Sequence, residues 1–292
     1  MRLSIVIAAW NGSASLERCL RSLGGEGRAA DTEVIVAANF EPERLAAEFP
    51  FVSWIQMPPA TTVPELRTAG IFRSTGEIVA VAEDHCTFGE RWCTELKKAH
   101  ESDHAVVGGA VENASTQRAL DWAVYFLDYG KFMPPMRAGV VRALSGVNVS
   151  YKRPALMEVE SSFRGGFHEA ITHAEIVKRG GALYLAPAMV VYHYKNYKTT
   201  PAMALAYHLG RSYAGKRVSG ASALRRGLFV LGSPLLTVLL PGRVIAGILR
   251  KRRHIAALAR ALPHLLALTS SWAWGEFRGY LAGEGRSAGQ WK

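Results

Sequence analysis

Three short groups of residues have the types and spacing to do chemistry. Glu83-Asp84-His85-Cys86 closes an apolar run and precedes a helix that carries Trp92. Two carboxylates and an imidazole there can hold a divalent cation and, through it, a diphosphate. The same residues can equally cap the next helix or line a solvated turn. His168-Glu169 follows Gly165-Gly166-Phe167 at a helix start. Glu169 there is a candidate general base, or simply complements the positive end of the helix. His193, in VVYHYK, is a lone histidine that can ligate or merely pack. Cys86 reads as a small buried hydrophobe. Tyr192, Tyr194 and Tyr197 can stack on a sugar or pack at an interface.

The elements that must position these groups follow from periodicity. LSIVIAA is a continuous apolar run bounded by Asn11-Gly12, hence a buried strand, and SASLERCLRSLGG is a helix with a glycine stop. EVIVAA, FVSWIQM, EIVAVAE and HAVVGGAV read as further strands, with helices over residues 41–48, Pro64–Ser74 and Gly89–His100. Strands separated by helices imply parallel βαβ crossovers and a doubly wound α/β sheet. Ligands of such sheets sit at the carboxyl ends of the strands. Here those ends are Ala8-Ala9-Trp10-Asn11, Ala37-Ala38-Asn39 and Glu83-Asp84-His85. No GxGxxG follows the first strand and no GxxxxGK[ST] occurs, which disfavours dinucleotide redox binding and a P-loop. Beyond residue 110 an aromatic-rich helix spans Gln117–Tyr129. Gly146–Ser150 is a strand or loop, residues 168–180 are helical, and ALYLAPAMVVYHY gives two strand-like segments around Pro187.

Composition narrows the class. The chain has 292 residues, half of them apolar, with a net charge of +11, which excludes a collagen, a disordered tail and a disulfide miniprotein. Three cysteines without CxxC spacing suit a reducing compartment. The short apolar start lacks the form of a signal peptide, so the chain is expected to begin in the cytosol. Charge is uneven. From Ile176 to Gly275 there is no Asp or Glu but there are fifteen Lys and Arg. The remainder carries 20 basic against 24 acidic residues. Anionic lipid and nucleic acid are the natural partners of such a stretch. Nucleic acid is disfavoured because the basic residues alternate with long apolar runs and no reading element is present.

Pro201–Val218 reads as an amphipathic basic helix. After it, the apolar run Gly227–Leu240 contains Pro234, is followed at once by Pro241, and is flanked by Arg225-Arg226 and Arg250-Lys251-Arg252-Arg253. Arg243 keeps the run below the ~20 residues needed to span a bilayer. The pattern predicts a re-entrant or interfacial helical hairpin with cationic ends at headgroup level. A third apolar helix, His254–Trp274, carries Pro263 and ends in Trp272 and Trp274.

Taken in order, SIVIAAWNGSASLERCLRSL, EVIVA, ELRTAGIFRSTGEIVAVAEDHCTFGERWCTEL, GVNVSYKR and FHEAITHAEIVKRGGALYLAPAMVVYHY resemble the inverting family 2 glycosyltransferases over about residues 3–195. WAWGEFRGYLAGEG resembles the tail of membrane-associated bacterial members. The resemblance implies a GT-A fold, with a mostly parallel sheet flanked by helices in a domain over 1–195. It also implies a membrane-associated helical region over 196–292. Carried over by position, Ala8, Ala9, Trp10, Asn11, Arg67, Glu83 and Asp84 contact the nucleotide sugar. Asp84, His85 and His193 hold a divalent metal, Mg or Mn. Asn148 and His168 lie on the acceptor side, and Glu169 is the catalytic base. The implied partners are a nucleotide-sugar donor, a glycan or lipid-linked acceptor and an anionic membrane surface, at the cytoplasmic face of the inner membrane. Three positions depart from the family pattern. His85 stands for the last acid of the motif, His168-Glu169 for Glu-Asp, and Ala37-Ala38-Asn39 for acids that read base and ribose. These leave the metal, the base and the donor nucleotide open, and a non-catalytic nucleotide-sugar-binding member is the alternative.

Overall fold

The computed structural model describes residues 1–287. The chain divides into two units. One comprises Met1–Ala114 and Phe132–Tyr194, the other Ser115–Lys131 and the chain from Lys195 onward. The sequence reading divides the chain into 1–195 and 196–292. It does not anticipate that residues 115–131 group with the C-terminal helices. The expected region 196–292 also includes residues 288–292, which lie outside the described residues.

The first unit opens with β1 (Leu3–Ala9), α1 (Ser13–Ser22), β2 (Thr32–Ala38), α2 (Glu43–Glu48), β3 (Val52–Gln56), α3 (Val63–Arg73) and β4 (Ile78–Glu83). β1 is buried along its whole length, which is why it reads as an unbroken apolar run. β3, β2, β1 and β4 are adjacent and parallel. α3 starts on a capping box in which the Glu65 carboxylate accepts from the Thr62 N–H at 2.7 Å.

The strict alternation then stops. β5 (Cys86–Phe88) follows β4 after only Asp84 and His85, and α4 (Trp92–Ala99) and β6 (Val106–Asn113) come next. A link that short cannot return the chain for parallel pairing. β5 instead pairs antiparallel with the strand at the far edge of the sheet. Three peptide steps span at most about 11 Å, so that far edge must curl back to meet the end of β4.

After α5 (Ala119–Asp128) of the second unit come β7 (Gly139–Val141), β8 (Val149–Lys152), α6 (Arg153–Met157), α7 (Glu169–Lys178) and β9 (Leu183–His193). β8 runs antiparallel between β4 and β6, β9 runs parallel to β6, and β7 pairs antiparallel with β9. The nine-stranded sheet is therefore parallel in its first half and mixed in its second. ALYLAPAMVVYHY forms one strand rather than two. The β6–β9 register shifts between Gly108–Leu185 and Ala110–Val190, so Pro187, which has no N–H to give, sits in the bulge. The core of this unit joins Val6, Ile35, Val79, Val106, Val149, Tyr151, Phe163 and Phe167.

The second unit is helical: α5, α8 (Thr199–Arg217), α9 (Ala223–Gly232), α10 (Leu236–Lys251) and α11 (Ile255–Ala282). α11 runs eight residues past Trp274 because Gly275 and Gly279 are contact points rather than stops. A Cβ on them would lie 2.1 Å from the Tyr207 carbonyl and 2.4 Å from the Arg211 carbonyl of α8. α5 packs on α11 and buries Trp122, Tyr125 and Phe126. The expected hairpin does not turn inside the apolar run. α9 and α10 are joined by a single 3-10 turn, Ser233–Leu235. The break falls later, at Arg252 and His254, both with left-handed backbone (φ 54° and 55°). Ala223–Lys251 is thereby one helical stretch of 29 residues, long and apolar enough by length and composition to cross a membrane. Leu224, Leu228, Leu231, Leu235, Val238 and Leu239 are all exposed along it.

Candidate active site

The site assembles where β4 ends. Asp84 is almost completely buried and is held against the loop after β1. Its Oδ2 accepts from the N–H groups of Trp10 (2.9 Å) and Asn11 (2.6 Å), and its Oδ1 accepts from the Asn11 amide (2.7 Å). Its own N–H donates to the Ala8 carbonyl at 3.2 Å. Ala8 and Ala9 are buried strand residues, whereas Trp10 is 38 % exposed at the rim. Three donors on one carboxylate make Asp84 the anchor of this loop.

His85 borders this loop: its Nδ1 lies 3.2 Å from the Asn11 amide nitrogen and 3.5 Å from Asp84 Oδ1. Glu83 Oε2 lies 3.3 Å from His85 Nε2, and its Oε1 pairs with Arg67. His85 Nε2 lies 2.9 Å from His193 Nε2. His193 arrives there because Cys86 and His193 are register partners in the β5–β9 pair. That 2.9 Å separation is a hydrogen-bond distance between the two rings. Among the described residues, no three His, Cys, Asp or Glu side chains converge as a complete metal centre. His85, His193 and Glu83 are thus in mutual contact without forming such a centre.

Arg67 ties this cluster to α7. Its guanidinium bonds Glu83 with one amino group, and the other lies 3.2 Å from Glu169 Oε2. Burial opposes its charge, but Glu83 and then Glu169 outweigh that, and its pKa stands above the ordinary value. Its Nε–H is buried with no hydrogen-bond partner in the protein. Glu169 is the first residue of α7, and its side chain is 33 % exposed.

The predicted residues separate accordingly. Asp84, Trp10 and Asn11 form one group, and Arg67, Glu83, His85, His193 and Glu169 a chain of contacts that meets it at His85. His168 precedes Glu169 and is exposed. Asn148 lies apart from these contacts. It is fully buried, accepts from Trp92 Nε1 at 2.9 Å and donates to the carbonyls of Ala110 and Met189 at 2.8 Å each. Those carbonyls flank the β6–β9 bulge, so Asn148 replaces ladder bonds lost there.

Two features of the site escape the sequence reading. Gly146 lies against Glu169, and a Cβ on it would be 2.6 Å from the carboxyl carbon. Tyr151 Oη lies 2.8 Å from His173 Nε2, both buried. Burial, then Glu169, pushes the Tyr151 phenol up. Burial lowers His173 to about 4, with Glu169 acting in the opposite sense, so both are neutral near pH 7. The available signal was spacing: His173 is four residues after Glu169, on one helix face.

This geometry can be set beside known proteins. Residues 4–160, more than half of the chain, match the family described as "Glycosyl transferase family 2", and the chain belongs to that family. None of the curated proteins compared with it matches. Among solved structures, GalNAc-T7 with UDP, GalNAc and Mn2+ superposes with a TM-score of 0.52 at 14% identity. That match covers 68% of this chain but 44% of the other, so the chain spans less than half the length of that relative. The mannosyltransferase PcManGT from Pyrobaculum calidifontis, in complex with GDP-Man and Mn2+, superposes with a TM-score of 0.55 at 16% identity, covering 100% of this chain and 88% of the other. The fold is of the GT-A type, and the protein is a glycosyltransferase by family.

Proposed function

We propose that the protein moves a sugar from a nucleotide-sugar donor to an acceptor hydroxyl in one displacement, with inversion at the anomeric carbon. The observation that carries this reading is the Arg67 bridge, which sets the Glu169 carboxylate beside the Glu83–His85–His193 cluster. Glu169 takes the proton of the acceptor hydroxyl as its oxygen bonds to the anomeric carbon. The bond from that carbon to the diphosphate oxygen breaks, and the electron pair leaves with the nucleoside diphosphate. Trp10 and Asn11, pinned by Asp84, bound the nucleotide, and Arg67 offers its unused Nε–H to an anionic oxygen. His168 is the acceptor-side residue beside the base, and Asn148 supports the site from inside the sheet.

The residue types present, a carboxylate and two imidazoles, fit a divalent cation such as Mg or Mn. Glu83, His85 and His193 would hold it, with Asp84 as the loop anchor. When bound, such a cation would neutralise charge building on the leaving diphosphate. The Mn2+ and the UDP or GDP-Man found in the two similar structures support a nucleotide-sugar donor and a metal. The exposed apolar helix 223–251 and the acid-free basic stretch support an acceptor that is lipid-linked or met at a membrane, on the cytoplasmic face.

The test is a donor panel. A nucleotide sugar that raises the melting temperature, more so with Mn2+, names the nucleotide and the metal dependence together. With that donor and a productive acceptor, Glu169→Gln should lose transfer by about a hundredfold or more while donor binding survives. Donor binding without transfer to any glycan or lipid-linked acceptor overturns the reading and marks a binding protein.

A further inference from the structure

The second unit carries a groove of about 550 Å³, lined by Leu209, Tyr213, Lys216, Arg217 and Trp272. We propose that it binds the phosphate headgroup of an anionic phospholipid.

Leu209, Tyr213, Lys216 and Arg217 recur at four, seven and eight residues along α8, hence on one face. Two cations therefore stand at one end of an apolar trough whose other wall is Trp272 of α11. Arg217 is held in place by aromatic and hydroxyl contacts. Its guanidinium lies 4.5 Å from the Phe229 ring centre and 5.9 Å from that of Tyr213, and it donates to the Tyr280 hydroxyl at 3.3 Å. Two carboxylates lie nearby and both are occupied: Glu276 is buried and accepts from Trp272 Nε1 and from the Tyr280 hydroxyl at 2.6 Å each, and Glu284, against Gly215 of α8, accepts from the Ser212 hydroxyl at 3.2 Å. The bond from Trp272 also fixes the indole lining the groove. No Asp or Glu occurs between Ile176 and Gly275, so α8, α9 and α10 offer an entering anion no repulsion.

The occupant follows from what adjoins the cations. Phe229, on which Arg217 rests, belongs to α9, and α9 exposes Leu224 (77 %), Leu228 (64 %) and Leu231 (79 %). A free phosphate or a nucleic-acid backbone matches the charge but leaves these leucines in water. A phospholipid matches both, with its acyl chains against the leucines and its phosphate between Lys216 and Arg217. This inference rests on the reading that the second unit meets a membrane, and adds a defined headgroup site to it.

The test is co-sedimentation of the full chain with vesicles of phosphatidylcholine alone or mixed with phosphatidylglycerol. One basic residue near an anionic surface contributes about fivefold in binding. Lys216→Gln with Arg217→Gln should therefore weaken binding to the mixed vesicles about thirtyfold and leave the neutral vesicles unaffected. Arg225→Gln with Arg226→Gln, the same loss of charge outside the groove, should cost clearly less. Lys216→Gln alone, about fivefold, guards against loss of folding, since Arg217 also packs on Phe229. Equal losses in the two double variants, or no loss in Lys216→Gln, overturn the site and leave only diffuse attraction. Wild-type protein that sediments with neither vesicle overturns the membrane reading itself.

Discussion

The Arg67 guanidinium lies 3.2 Å from the Glu169 carboxylate, although 102 positions of chain separate the two. The same guanidinium also pairs with Glu83. One buried cation thus governs two carboxylates whose proposed tasks differ, one receiving a proton and the other facing the imidazoles. Without it, the two acids would be held in one pocket with nothing to offset their repulsion.

Replacing Arg67 should therefore cost both fold and activity. Arg67→Met is expected to lower stability by about 3 kcal/mol, the usual order for breaking a buried pair from one side. Transfer should fall further than donor binding. Arg67→Lys keeps the charge but loses the fork that reaches two acids, so it should restore stability better than turnover. Denaturant melts and steady-state kinetics on both variants separate the two effects.

Gly146→Ala should be a kinetic lesion. The added methyl would stand 2.6 Å from the Glu169 carboxyl carbon. Because that side chain is a third exposed, it can swing away at little cost in stability. The expected result is a melting temperature close to wild type with kcat lowered tenfold or more, on the order seen when a reacting group is displaced by about an ångström.

Asp84→Asn tests the loop. The amide keeps one oxygen acceptor but brings two N–H donors toward groups that are themselves donors, the N–H groups of Trp10 and Asn11 and the Asn11 amide. The loss should be about 1–3 kcal/mol of stability, together with weaker donor binding. Fluorescence of Trp10, read as a difference against Trp10→Phe, should report the loosened loop.

Acid should unfold the first unit early. His100 and His173 each fall from 6.5 to about 4, chiefly through burial, helped at His100 by Lys152 and opposed at His173 by Glu169. The unfolded chain then binds more protons than the folded one between those values, so stability falls as pH drops from about 6.5 to 4. The combined loss is on the order of a few kcal/mol. Melting curves across that range should show it, and His100→Gln should flatten the slope. A melting temperature unchanged over that interval would refute the assignment.

Much of the sheet was legible because strands buried on both faces announce themselves as unbroken apolar runs, as LSIVIAA and EIVAVAE do. What periodicity does not carry is pairing direction. The switch to antiparallel strands begins at a two-residue link, Asp84-His85, whose shortness is visible but whose destination at the far edge is not. The same holds for the site. The motif around Glu83 and the isolated Glu169 and His193 stood out by residue type. That His85 stands between the two acids, Nε2 toward Glu83 and Nδ1 toward Asp84, depends on which way neighbouring side chains leave the end of a strand. Asn148 shows the reverse case: a polar residue in an apolar stretch that answers a need of the backbone, the bulge opened around Pro187. Pro241 and Pro263 lie within helices, so proline alone did not locate the break in the C-terminal region.

The grouping of residues 115–131 with the C-terminal helices has a practical corollary. Cutting the polypeptide at Tyr194 would not release a clean catalytic half. It would leave α5 behind as a dangling insert, with Trp122, Tyr125 and Phe126 stripped of the α11 surface that shelters them. Isolating the first unit would need that insert excised as well and its ends, at Ala114 and Phe132, rejoined.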